Sequence, residues 1–173
     1  AVLLGQSMGG NLAQEVVFSH PERVSALVLI DCTDNFQKLS AVEKGALASA
    51  RPLFALYPFA TLKRQSAESS AQRPESQARL AAMMERVADK HAFVEIFMRT
   101  TGALHYEPEF RIPCPVLMLM GEQENLGNIA KAMPKMAQRE GVDLVVVPGA
   151  GHCSNMDEPE FVNAEIRRFL DGL

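Results

Sequence analysis

Residues Gly5-Gln6-Ser7-Met8-Gly9 stand between a short apolar run, Ala1 to Leu4, and a stretch with helical periodicity from Met8 to Ser19. A Gly-x-Ser-x-Gly turn between a strand and a helix puts its serine on a strained backbone, with the hydroxyl exposed above the strand's end. Gly5 and Gly9 are expected to be bare because a Cβ at either would strike the neighbouring strand or helix, and Gly10 extends the bare surface. The Met8 amide, at the helix start, then points to where charge would develop on an attacked carbonyl oxygen, helped by the positive end of the helix dipole. Alone, such a match is common in glycine-rich turns of α/β proteins, so its meaning depends on the rest of the chain.

The C-terminal third supplies that context. Leu144 to Val147 form a β-branched run, Pro148-Gly149-Ala150-Gly151 break it, and His152 follows at the strand's C-terminal edge. Ligand and catalytic groups of open α/β sheets gather at that edge. His20, His91 and His105 lie at a helix stop or in helical and loop sequence and are expected to be ordinary structural histidines. In a Ser-acid-His chain order the acid falls between the two. Pro115 to Met120 make an apolar strand ending in Gly121-Glu122-Gln123-Glu124-Asn125, with Glu124 the first choice and Glu122 a solvated turn residue. Asp31 and Asp34 follow the strand Ala26 to Ile30 and are the alternative acids, although Asp often serves there as a turn or cap residue.

Strands alternate with helices at both ends, which implies a mostly parallel sheet. Leu12, Ala13, Val16 and Val17 share helical spacing and are expected to face it. Ile129 to Glu140 reads as a helix between the later strands, and Pro159 to Leu170 as an amphipathic closing helix using Phe161, Ile166, Phe169 and Leu170. Between Asn35 and Arg111 helix follows helix. Ser40 with Glu43 forms a capping-box pattern, Pro74 to Arg99 carries Leu80, Met83, Met84, Val87 and Phe93 near helical spacing, and polar Lys63 to Ser76 is expected to be an exposed connection.

Taken together, these blocks resemble the α/β-hydrolase fold family in its esterase, lipase and lactonase-like branch. The resemblance rests on Gly5-Gln6-Ser7-Met8-Gly9-Gly10, on His20-Pro21-Glu22-Arg23-Val24 leading into Ala26 to Asp31, on Pro113 to Glu124, and on Gly149-Ala150-Gly151-His152 with Glu158-Pro159-Glu160-Phe161. It implies a hydrolase core at residues 1–34 and 112–173, a helical cap inserted at 35–111, and acyl transfer by Ser7, His152 and Glu124, with the Met8 amide as one oxyanion donor. The family usually has Asp where this chain has Glu124. It also places strands, and a loop carrying a second oxyanion donor, before the serine strand. The resemblance therefore implies an N-terminally truncated piece of a serine hydrolase. Weak turnover by the isolated chain, and pairing of the uncovered sheet edge with another chain, are further expectations. The competing class is a non-catalytic fragment or degenerate homologue that binds a small hydrophobic molecule or a partner chain.

At 173 residues and 47% hydrophobic content the chain is long and apolar enough for one domain with its own core. A net charge of −4 without blocks of like charge argues against nucleic-acid or anionic-membrane binding, and no apolar run approaches the roughly 20 residues that cross a bilayer. Cys32, Cys114 and Cys153 form neither a disulfide framework nor a zinc pattern, which suggests a reducing cytoplasm and no metal. No cofactor is expected, and the implied partner is a small ester-like substrate.

Overall fold

Among the described residues the apolar runs form four parallel strands in chain order, β1 (Val2–Gln6), β2 (Ala26–Ile30), β3 (Val116–Gly121) and β4 (Leu144–Val147). A computed structural model describes residues 1–102 and 104–173, and the side chains of all these except 100–102. Every residue of β2 is buried, as expected of a parallel strand covered on both faces. One face packs under helix α1 (Met8–Ser19) and α6 (Ile129–Glu140), where Ala13, Val17, Met133 and Met136 meet Leu27, Leu29 and Met118. On the other face Val28, Ile30, Leu119 and Val147 pack with Val162 of α8 (Pro159–Asp171). Register pairs Gln6 with Ile30, Ile30 with Leu119, and Gly121 with Val147, so the strand ends that carry the turns lie side by side.

Helix α1 corrects one expectation. Ala13 and Val17 are buried, but Leu12 and Val16 are 59% and 39% exposed. The buried face is partly polar instead. Gln14 Nε2 donates to the Thr33 carbonyl at 2.8 Å, and Asn11 Nδ2 to Asn35 Oδ1 at 2.5 Å. These bonds tie α1 to the loop after β2 and turn the helix away from the side that apolar spacing alone favours.

Helices α2 (Ala41–Leu56), α3 (Phe59–Ser70), α4 (Pro74–Glu85) and α5 (Lys90–Gly102) lie between β2 and β3 in the chain. Ser40 and Glu43 close the expected capping box at the start of α2. Phe54 packs edge-on to Phe97, and Phe59 lies against Phe93. Lys63 to Ser76 is not an exposed connection: most of it is α3, and Ala67, Ala71 and Ser76 are buried. Small side chains let this segment approach Cys153 and Met156 closely, so it needs no bulky apolar residue to be held.

Candidate active site

Gly5, Ser7 and the first turn of α1 set the position of the candidate nucleophile. Ser7 has φ 52°, in the left-handed region that non-glycine residues avoid. It stands at the N-cap of α1, yet its side chain makes no capping bond. The hydroxyl lies 2.8 Å from His152 Nε2 instead. A Cβ at Gly5 would fall 2.2 Å from the Gly9 backbone, and one at Gly10 would fall 2.7 Å from Cys32. Gly9 departs from expectation, since nothing lies within 4 Å of a Cβ built there. The crowding at Gly9 comes from the side of Gly5, whose missing Cβ leaves room for the Gly9 peptide. The Gly10 and Asn11 amides bond the Ser7 carbonyl, while the Met8 amide, at the first helical position, has no carbonyl one turn back.

His152 is 8% exposed, and its Nδ1 lies 2.7 Å from Glu124 Oε2. An ionised carboxylate can only accept, so Nδ1 carries the proton and Nε2 is left to accept from Ser7. Glu124 is held in turn by the Leu126 amide, which donates to Oε1 at 2.7 Å. The acid turn and the histidine loop touch through backbone: a Cβ at Gly121 would fall 2.2 Å from the Gly151 carbonyl oxygen. Only glycine permits that approach, which brings Glu124 within reach of the imidazole.

Neither alternative acid is bonded to His152. Asp34 Oδ2 accepts from Arg139 Nη1 at 2.5 Å and Asp34 Oδ1 from the Phe36 amide at 3.0 Å, an ion pair and a turn contact. Asp31 is fully buried with φ 46°, and it accepts from the Gly121 amide at 2.7 Å and from the Ser154 amide and hydroxyl at 3.1 and 2.6 Å. It thus ties the acid turn to the segment just after His152. Burial pushes its carboxyl up to about 6, against the lowering pull of the Ser154 and Gly121 bonds. Glu122 accepts from the Gly149 amide at 2.8 Å and is exposed, as anticipated. Among the remaining histidines His20 ends α1, His91 lies in α5, and His105 packs on Phe18 and Phe36.

Gln6 was not anticipated. Its side-chain amide donates to the His152 carbonyl at 2.8 Å, joining the residue before the serine to the histidine backbone. The one available hint was a polar residue at the end of an otherwise apolar strand. A cavity of about 400 Å³ lies on the seam between α4 and the start of α8, lined by Arg73, Ser76, Arg79, Met156, Asp157 and Glu158 among others, and contains none of Ser7, Glu124 or His152.

Residues 1–165 match the model of the alpha/beta hydrolase family. A Haemophilus influenzae protein with the provisional name esterase/lipase is 25% identical over 182 residues, covering 98% of this chain and 60% of that protein. The solved structure of a thermophilic esterase from Thermogutta terrifontis is similar with a TM-score of 0.77 at 22% identity, over 99% of this chain and 64% of the other. The structure of 2-hydroxy-6-oxo-6-phenylhexa-2,4-dienoate hydrolase from Rhodococcus sp. strain RHA1 gives 0.73 at 18% identity, over 97% and 63%. At these identities the structural likenesses establish the fold. The chain spans less than two thirds of the length of each of these relatives.

Proposed function

The chain belongs to the alpha/beta hydrolase family, and we propose that it carries the catalytic triad of a serine hydrolase acting on an ester, lactone or similar carbonyl. The observation that carries this is the relay from Ser7 Oγ through the His152 ring to Glu124 Oε2, with contacts of 2.8 and 2.7 Å. Ser7 Oγ attacks the carbonyl carbon while its proton passes to His152 Nε2, and the negative charge gathers on the former carbonyl oxygen beside the Met8 amide. The intermediate collapses as His152 returns the proton to the leaving oxygen. Water then attacks the acyl-serine with the same base and releases the acid and free Ser7. Glu124 fixes the imidazole tautomer and stabilises the imidazolium.

The Met8 amide supplies one oxyanion donor. A second reading is a folded unit that binds a hydrophobic molecule or a partner chain without turnover. The helices between β2 and β3 serve in either case as a cap that shapes an apolar acyl or ring site. Free thiols at Cys32, Cys114 and Cys153 suit a reducing compartment such as the cytoplasm. Hydrolysis of p-nitrophenyl esters of graded chain length, by the chain and by Ser7→Ala, tests the proposal. Release that disappears in Ser7→Ala supports it. Release that persists in Ser7→Ala overturns it, and none from a folded chain favours binding without turnover.

A further inference from the structure

Asp157 lies five positions beyond His152 in the short helix α7 (Ser154–Asp157) and is 1% exposed. Its carboxylate accepts three backbone N–H bonds. Oδ2 receives the amides of Gly151 and Gln72, both at 2.9 Å, and Oδ1 that of Arg73 at 3.1 Å. Gly151 directly precedes His152. Cys153, which directly follows it, donates its own amide to the Ser70 carbonyl at 2.6 Å. Both chain neighbours of the histidine are therefore tied to the end of α3 and the turn 71–73 that joins it to α4, one through Asp157 and one directly.

The surroundings are built to the same end. Ser76 Oγ donates to the Met156 carbonyl at 3.0 Å, and the Arg73 guanidinium pairs with Glu158. Ala67, Ala71 and Leu80 pack with Cys153 against Met156. A Cβ on Gly151 would meet the Gln72 side chain at 3.1 Å. Burial by itself would raise the Asp157 carboxyl, but the amides of Gly151, Gln72 and Arg73 outweigh it and hold the group below the ordinary aspartate range, ionised at neutral pH.

We propose that Asp157 is a positioning residue for His152, and that the α3–α4 turn forms one wall of the histidine's socket, so that displacing the turn moves the imidazole relative to Ser7. The inference rests on the role proposed above for His152. Its consequence is that contacts made by substrate on α3 or α4 act on the reactivity of Ser7 as well as on binding. A misplacement of about 1 Å in such a relay costs on the order of 10²-fold in rate.

Two variants approach the latch from opposite sides. Asp157→Asn places an amide N–H₂ among backbone donors, so at least one of the three bonds is lost. Arg73→Pro deletes the turn's N–H to Oδ1 and leaves Asp157 intact; Arg73, at φ −81° and ψ 133°, already has the backbone that proline and a residue before Pro74 require. Arg73→Ala is the control for the Glu158 pair. Each is measured for its rate of Ser7 labelling by a fluorophosphonate, for the low-field proton resonance of His152 Nδ1–H, and for its melting temperature.

Expected are labelling rates lowered about 10- to 100-fold in Asp157→Asn and about 3- to 10-fold in Arg73→Pro. The His152 resonance should broaden or vanish in both, well below the melting temperature, and Arg73→Ala should match wild type. Folded variants with wild-type labelling and an unchanged resonance overturn the proposal. If Asp157→Asn does not fold, Arg73→Pro decides. A wild-type chain that takes no label counts against the hydrolase mechanism, and the resonance alone then decides whether Asp157 holds the ring.

Discussion

Three carboxylates follow strands of the sheet and are the candidate partners of His152, and their contacts rather than their spacing separate them. Glu124 reaches the imidazole, Asp34 pairs with Arg139, and Asp31 holds the Gly121 and Ser154 amides. Glu124→Gln is therefore expected to lower kcat on the order of 10⁴-fold, because the neutral amide no longer fixes the tautomer. Asp34→Asn, which weakens the largely buried pair with Arg139 and leaves the contacts of the His152 ring intact, should change kcat by no more than about threefold; steady-state kinetics on both variants makes the comparison. Asp31 offers a check through pH. Folding raises its carboxyl from 3.8 to about 6, so between those values the folded chain holds the proton more tightly than the unfolded chain. Its contribution to stability is greatest below the lower value and declines as pH rises through the upper one. The melting-temperature advantage of wild type over Asp31→Asn should thus be larger at about pH 4 than at about pH 7; an advantage that grows with pH would contradict the burial account. Carbon-detected titration of the carboxyl should find its midpoint near 6.

The elements show what a sequence can and cannot reveal. β2, β4 and the breaker before His152 were legible because β-branched runs and Pro-Gly punctuation are local signals. The juxtaposition of Ser7, Glu124 and His152 follows from the sheet, since parallel strands in register bring their C-terminal turns together. What escaped was settled by residues distant in the chain. Ala67 and Ala71 are buried by Cys153 and Met156, more than 80 positions away, so a polar segment of small residues read as a loop. Leu12 and Val16 carry helical spacing, yet α1 is rotated by bonds from Asn11 and Gln14 to the loop after β2. The glycines divide the same way. Gly121→Ala should cost about 2–3 kcal/mol, since its methyl group would overlap the Ala150 and Gly151 carbonyl oxygens. Gly9→Ala meets open space in a helical position and should be neutral or stabilise by up to about 1 kcal/mol. Urea midpoints of the two variants moving in the same direction would refute this division.

For the molecule as a whole, β1 pairs with β2 alone and forms one edge of the described sheet. Val2, Leu4, Met8 and Leu12 are exposed on and beside it. An edge of unpaired backbone groups flanked by apolar side chains is a template for strand addition, so self-association of this chain is expected. Sedimentation velocity should show the mean coefficient rising with concentration, and a constant monomer value would weigh against it. Among the described residues no helix is long and apolar enough to cross a membrane.

The central claim is that Ser7 is a nucleophile activated by His152. Its most direct test is a fluorophosphonate probe applied to the folded chain, with the adduct located by mass spectrometry in wild type, Ser7→Ala and His152→Ala. A single adduct on Ser7 that disappears in both variants is the predicted result. No adduct on a folded wild-type chain, an adduct elsewhere, or Ser7 labelling undiminished in His152→Ala would contradict it.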